Sequence, residues 1–302
     1  MKTLNASSPD TTIKPVNELT FAERLNFLIT NRVPRRLLTR FMGWYSGIES
    51  IWLTRLSIKI WSLFVDDLKL HEAKKQSFGS LRECFIRQLK EGVRQIDYRE
   101  NIIVSPCDAI VGSCGKLDGK TLFQTKGFPY ELSDLIPDKS LSDKYINGTY
   151  VTLRLKSSMY HRFHAPTDCK VKQLNYISGD TWNVNPVALK CIENLYCKNE
   201  RVVIELLLNK TGSITLVPVA AILVASMKLH CLDETLDLKY KGPNLINCDA
   251  RFGKGDELGY FQHGSTIIVF ATGEFNLCQD IESGQEIKMG QPLLIESDVM
   301  QN

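Results

Sequence analysis

The stretch FQHGSTIIVF, residues Phe261 to Phe270, decides how the chain reads. Thr266-Ile267-Ile268-Val269-Phe270 is a β-branched and aromatic run with the character of a strand. Immediately before it lies a small, flexible step, Gly264-Ser265, which follows His263. Taken alone, Gly264-Ser265-Thr266 is a turn feeding a strand. A Ser after a Gly has a second use, because the Gly lets the backbone bend until the hydroxyl can attack the preceding carbonyl. That attack needs a base and a group to orient the base.

Outward from this stretch, short β-branched runs alternate with Gly, Asp, Asn and Pro turns: NIIVSPCDAIVGSCG, GTYVTLRL, CKVKQLNYISGD, ERVVIELLL and GSITLVPVAAILVAS. The spacing predicts a predominantly β domain carrying a few helices. Residues 77–92 read as a short helix, with Leu81, Phe85 and Leu89 in step and Gly92 as its stop. From Phe21 to Val65 the pattern is helical. In Ser50–Val65 the side chains of Trp52, Leu53, Leu56, Ile60, Leu63 and Phe64 share one face. The expected organisation is therefore α+β: a disordered N-terminus (1–20), amphipathic helices (21–70) and a predominantly β body (71–302).

Composition narrows the class. Apolar and charged fractions of 43% and 24% are those of an ordinary globular protein. A net charge of +3 is too small to suggest nucleic acid, but it is unevenly placed. Residues 21–65 hold seven basic groups against two acidic ones, together with Trp44, Trp52 and Trp61, three of the four tryptophans. Basic groups suit anionic headgroups and indoles suit the bilayer interface. The segment therefore reads either as a helix lying on a membrane or as one packed on the body. The longest uncharged run, Thr211 to Met227, contains Gly212 and Pro218 and is shorter than the roughly 20 residues that span a bilayer, so buried strands are expected there. Nine scattered cysteines without a C-x-x-C pair suggest reduced thiols, and MKTLNASSPDTTIKPVNEL has no apolar core of the secretory kind.

Two further places carry possible chemistry. Asp108, in Ser105-Pro106-Cys107-Asp108-Ala109, is at its simplest a turn aspartate. Tyr160-His161-Arg162-Phe163-His164-Ala165-Pro166 puts two of the five histidines within four residues. They could bind a metal, exchange protons or hydrogen-bond in a packed loop; with no third ligand at a recognisable spacing, proton exchange is favoured over metal.

In order, these pieces resemble the phosphatidylserine decarboxylases, specifically the bacterial, membrane-associated proenzymes. The resemblance runs from about Trp52 to Leu294. It rests on IWLTRLSIKIW, on Phe85-Ile-Arg87-Gln-Leu89-Lys90-Glu-Gly92-Val-Arg94, on SPCDAIVGSCGK, YHRFHAP, YISGDTWNVNP and NERVV, and on GDELGYFQHGSTIIVF.

The resemblance implies that the chain cuts itself between Gly264 and Ser265, into a β chain (1–264) and an α chain (265–302). Ser265 Oγ would be deprotonated by His164, with Asp108 orienting the imidazole. Residue 265 would become a pyruvoyl group, the only cofactor expected, which forms a Schiff base with the substrate amine. His161 is the candidate proton donor after carbon dioxide leaves. Phosphatidylserine in an anionic membrane would be the substrate and phosphatidylethanolamine the product. The protein would be a homodimer, peripheral on the cytoplasmic face of the bacterial inner membrane.

The chain departs from the commonest family pattern at Ala109, Cys107, His263, Gln95, Pro218 and Ala220. Ala109 adds a methyl group to a turn that could need unusual backbone angles. Three other readings stay open: an uncleaved lipid-binding relative, a carrier domain presenting Lys288, and a metal hydrolase using His161 and His164.

Overall fold

The structure is a computed structural model that describes residues 19–31, 34–65, 67–124, 128–209, 212–223, 226–262 and 265–297. Of the N-terminus expected to be disordered, residues 1–18 lie outside the described residues, as do His263 and Gly264.

The strand expected at Thr266 is the middle of the molecule. Thr266–Ala271 is buried along its whole length. It pairs antiparallel on one side with Ser213–Val219 and on the other with Thr149–Arg154. Burial on both faces explains why the sequence shows a continuous apolar run there rather than alternation. Around it an eight-stranded antiparallel sheet runs in the order Leu245–Phe252, Cys169–Ile177, Arg201–Leu208, Ser213–Val219, Thr266–Ala271, Thr149–Arg154, Ala109–Lys116 and Glu286–Ile287. The uncharged run at Thr211 to Met227 is largely the fully buried strand Ser213–Val219, as expected.

Three smaller sheets are also described, the smallest pairing Thr121–Gln124 with Phe128–Glu131. Of the other two, one joins Thr235–Asp237, Ser226–Leu229, Glu257–Phe261 and Arg162–His164, and one joins Ile102–Val104, Pro292–Glu296 and Phe275–Leu277. The α+β class is therefore observed, with helices first and a mostly antiparallel β domain after them.

Three helices, Phe21–Asn31, Arg35–Ser46 and Ile51–Trp61, make up the N-terminal segment. They are tied to the body through the loop YISGDTWNVNP. Arg35 forms an ion pair with Asp180 at 2.6 Å and its guanidinium lies 3.6 Å from the Trp182 ring centre. Arg36 donates to the Gly179 carbonyl at 3.2 Å. Gly179 is required here, since a Cβ at this position would sit 2.6 Å from the Asn199 backbone, which crosses beside it.

The helix Ile51–Trp61 starts at Ser50, whose hydroxyl accepts the Leu53 N–H. It faces inward with its small polar residues. Thr54 is buried and its hydroxyl donates to Gly79 O at 3.2 Å, while Ser57 meets the Tyr45 hydroxyl at 2.7 Å. Another face of the helix is open to solvent: Trp52 is 82% exposed, and Leu56 and, just past the helix, Leu63 are also exposed. No helix among the described residues is long and apolar enough to cross a membrane.

The helix expected over 77–92 is shorter, only Leu81–Phe85. Beyond it the chain is extended, because Arg87 turns inward and donates to the carbonyls of Leu68 and Ser158 at 2.9 Å each. Leu89 bridges Ala73 instead of continuing the helical face.

Candidate active site

The turn Ser105–Asp108 is fixed by its own chemistry. Ser105 Oγ donates to Cys107 O at 2.8 Å, and Ser105 N–H donates to Gln291 O at 2.8 Å. The backbone N–H of Met289 then reaches Asp108 Oδ1 at 2.9 Å. Lys288 thus belongs to a loop packed on this turn, between buried Ile287 and Met289, rather than to a presented hairpin tip as a carrier requires. Ala109 starts a strand, is fully buried and has no left-handed backbone, so its methyl group is accommodated without strain.

Asp108 is held by Arg94. The guanidinium Nε lies 2.9 and 3.1 Å from the two carboxylate oxygens, and Nη2 pairs with both Asp108 and Glu72, the latter at 2.7 Å. Burial alone would lower the Arg94 pKa, but its hydrogen bonds to the two carboxylates outweigh burial and raise it. Burial would likewise raise the Glu72 pKa, and the Arg94 contact instead brings it below the usual carboxylate value.

The two histidines flank this turn. His164 N–H donates to Pro106 O at 2.8 Å, which brings the histidine strand alongside the Asp108 turn. The His164 ring, however, does not bond Asp108. Its Nδ1 lies 2.8 Å from Gly255 O and its Nε2 3.0 Å from the Tyr160 hydroxyl. A carbonyl only accepts, so Nδ1 carries the proton and Nε2 of the neutral ring accepts from Tyr160. Burial lowers the His164 pKa below the usual imidazole value and favours that neutral form. The direct Asp108–His164 bond expected from the resemblance is thus replaced by Arg94 on one partner and by Tyr160 and Gly255 on the other.

His161 is fully buried, with Nδ1 2.7 Å from Met159 O and its ring centre 4.6 Å from that of Phe85. The Phe261 N–H donates to His161 O at 3.0 Å, which sets it beside the strand leading to Ser265. No group of three His, Cys, Asp or Glu side chains that could hold a metal ion converges among the described residues.

Ser265 is fully buried, and its carbonyl accepts the Leu155 N–H at 2.9 Å. Its hydroxyl has no hydrogen-bond partner among the described residues, an expensive state for a buried polar atom. It borders a cavity of about 810 Å³ that Asp108, Arg94 and Tyr160 also line. Met42, Ile60, Trp61, Phe64 and Val65 from the N-terminal segment add apolar walls to the same cavity. Ser265 and Asp108 therefore share one space, and His164 adjoins it through Tyr160. Gly264 lies outside the described residues.

Sequence reasoning missed Arg94 and Tyr160 as members of this site. Both stand in quoted motifs, Arg94 at the end of the Phe85–Arg94 element and Tyr160 at the head of YHRFHAP. Only folding brings Arg94 onto Asp108, 14 residues away.

The family model described as "Phosphatidylserine decarboxylase" matches residues 81–295. The chain is 32% identical over 277 residues to the phosphatidylserine decarboxylase proenzyme of Escherichia coli O45:K1 (strain S88), covering 88% of this chain and 86% of that protein. Identity and coverage are the same for the proenzyme of Escherichia coli strain K12 / DH10B. The chain belongs to the phosphatidylserine decarboxylase family.

Proposed function

We propose that this chain is a self-processing proenzyme that decarboxylates phosphatidylserine to phosphatidylethanolamine. The observation that carries the reading is the buried Ser265 hydroxyl, without a partner among the described residues, on a cavity lined by both charged and apolar side chains.

In the processing step His164 Nε2, which accepts from Tyr160, takes the Ser265 hydroxyl proton, with the Tyr160 hydroxyl as the bridge on the cavity wall. Ser265 Oγ then attacks the Gly264 carbonyl carbon. The peptide C–N bond breaks as the ester C–O bond forms, and the proton goes to the freed amine. Loss of the Ser265 α-proton expels the Gly264 carboxylate from Cβ, and water replaces the nitrogen at Cα as ammonia leaves. Asp108, fixed by Arg94 and by the Met289 N–H, supplies fixed charge at the site instead of a direct hydrogen bond to the imidazole.

The residues around Ser265 suit a pyruvoyl group, because the position is dry and opens onto the cavity. When formed, that group supplies an electron-withdrawing carbonyl to the substrate amine. His161, beside the strand that leads to Ser265, is the proposed donor of the proton that replaces the lost carboxylate.

The outward apolar face of Ile51–Trp61, with Arg55 and Lys59 nearby, supports work at an anionic membrane surface, where acyl chains stay in the bilayer while the headgroup enters. The cytoplasmic face of a bacterial inner membrane and a homodimer complete the proposal. The test is an intact mass of the wild-type protein beside Ser265→Ala. Masses of 1–264 and a pyruvoyl-blocked 265–302, with the variant whole, support it. A wild-type mass equal to the full chain after incubation with anionic lipid would replace it with an uncleaved lipid-binding protein.

A further inference from the structure

The charges around the cavity do not cancel. Arg94 is matched by Asp108 and Glu72, and Lys69 by Glu286 at 2.8 Å. Arg87 is taken up by backbone carbonyls. The side chain of Arg154, which also lines the cavity, makes no hydrogen bond or ion pair among the described residues. It is only half-exposed at most, and burial lowers its pKa, with no carboxylate close enough to counter that. A partly desolvated guanidinium without an anion is costly, and folded proteins keep one where a ligand supplies the missing charge.

Its position fits the known end of the site. Arg154 stands directly opposite Thr266 in the paired strands, and its neighbour Leu155 donates the N–H that holds the Ser265 carbonyl. The guanidinium therefore projects from the strand next to the reacting residue, into the same cavity. On the proposed function, on which this inference rests, the substrate headgroup brings two anions there: a carboxylate, which must leave, and a phosphodiester a few bonds from the reacting amine.

A tight guanidinium–carboxylate pair would stabilise the ground state and oppose loss of carbon dioxide. A guanidinium on the phosphodiester anchors the substrate with the same strength before and after the bond breaks. We infer that Arg154 is the residue that binds the headgroup phosphodiester, orienting the amine toward residue 265. The planar fork suits two phosphate oxygens at once, which a lysine cannot reproduce.

Two measurements test this. Binding of dihexanoyl phosphatidylethanolamine, which has the phosphodiester but no carboxylate, is followed by calorimetry in the full-length Ser265→Ala chain, where processing is not needed. Adding Arg154→Gln weakens it about tenfold or more, and Arg154→Lys recovers part of the loss. In the processed enzyme, Arg154→Gln raises KM for dihexanoyl phosphatidylserine by a similar factor while kcat falls far less.

Unchanged phosphatidylethanolamine binding, or none in the Ser265→Ala chain at millimolar lipid, overturns the assignment whatever the decarboxylase assay shows. A KM effect on phosphatidylserine with intact phosphatidylethanolamine binding overturns it too, by assigning Arg154 to the carboxylate. If instead the wild-type chain never processes while the binding loss is seen, the catalytic reading fails and the phosphodiester site stands.

Discussion

Arg94 grips Asp108 through both carboxylate oxygens, and the same guanidinium reaches Glu72. Its side chain is only 4% exposed. Removing it strands two carboxylates in a largely dry site. Arg94→Leu is expected to lower stability by about 3–5 kcal/mol, the usual cost of breaking a buried pair. Urea unfolding of the unprocessed Ser265→Ala background measures this without interference from cleavage. A change under 1 kcal/mol would mean that water reaches these carboxylates freely.

Tyr160 ties His164 to the cavity, so Tyr160→Phe leaves the imidazole without its hydroxyl partner. Self-processing is expected to slow about 100-fold, the lower range for loss of a proton-transfer group. A gel time course of precursor and products reads it directly, and an unchanged half-time would remove Tyr160 from the proton path.

On the proposed mechanism, the pH dependence of processing follows from His164. Burial disfavours its charged form and lowers its pKa, so the neutral base persists below the ordinary imidazole range. The processing rate is expected to stay flat from pH 8 down past about 6.5 and to fall only in more acidic buffer. A fall centred at or above 7 would identify a different base.

Glu200 gives the body an opposite pH response. It is fully buried, one carboxylate oxygen meets the Tyr176 hydroxyl at 2.5 Å, and the other has no partner among the described residues. Burial pushes its pKa up to about 7, against an opposing effect of the Tyr176 hydrogen bond. The folded state therefore holds this proton to higher pH than the unfolded state does. Its relative stability is greatest below about 4.5 and is lost as pH rises through 7, by about 3 kcal/mol in all. Glu200→Gln is expected to flatten the Tm profile between pH 5 and 8 and to raise Tm at pH 8. Parallel profiles for the two proteins would contradict it.

The exposed apolar face of the helix Ile51–Trp61 makes few contacts that support the fold, with Trp52 82% exposed. Trp52→Ser with Leu63→Ser is expected to reduce binding to anionic vesicles about tenfold or more, while Tm moves by no more than a degree or two. Vesicle flotation and thermal melts separate the two effects. A large Tm loss with unchanged flotation would mark this face as an internal packing surface.

Some of this was legible in the sequence because local rules and tertiary structure agree. The run Thr266–Phe270 is β-branched because it sits between two strands, and its continuous apolar pattern is what a strand buried on both faces requires. The helix face at Trp52, Leu56 and Leu63 was readable from its period, although the period alone cannot say whether that face turns inward or outward. Thr54 and Ser57 decide it, by hydrogen-bonding on the inner side.

The rest depended on contacts between distant segments. Leu81, Phe85 and Leu89 have helical spacing, yet Arg87 finds better acceptors in Leu68 and Ser158 than a continued helix would offer. The motif around Asp108 suggested a partner for His164, but the nearest strong donor in space is Arg94, which no spacing rule links to that turn. YISGDTWNVNP gave no hint that it would clamp the first helices through Asp180 and Trp182.

The place of Thr266–Ala271 between Ser213–Val219 and Thr149–Arg154 has a consequence for irreversibility. A cut just before Ser265 frees a fragment whose first strand is already stitched into the centre of a sheet, and whose Pro292–Glu296 strand pairs with Ile102–Val104. The two pieces would remain one body while native, yet refolding from denaturant would become a meeting of two separate polypeptides. On the proposed function the continuous chain is the form in which the sheet assembles by unimolecular folding, and maturation would erase that route once the sheet is built.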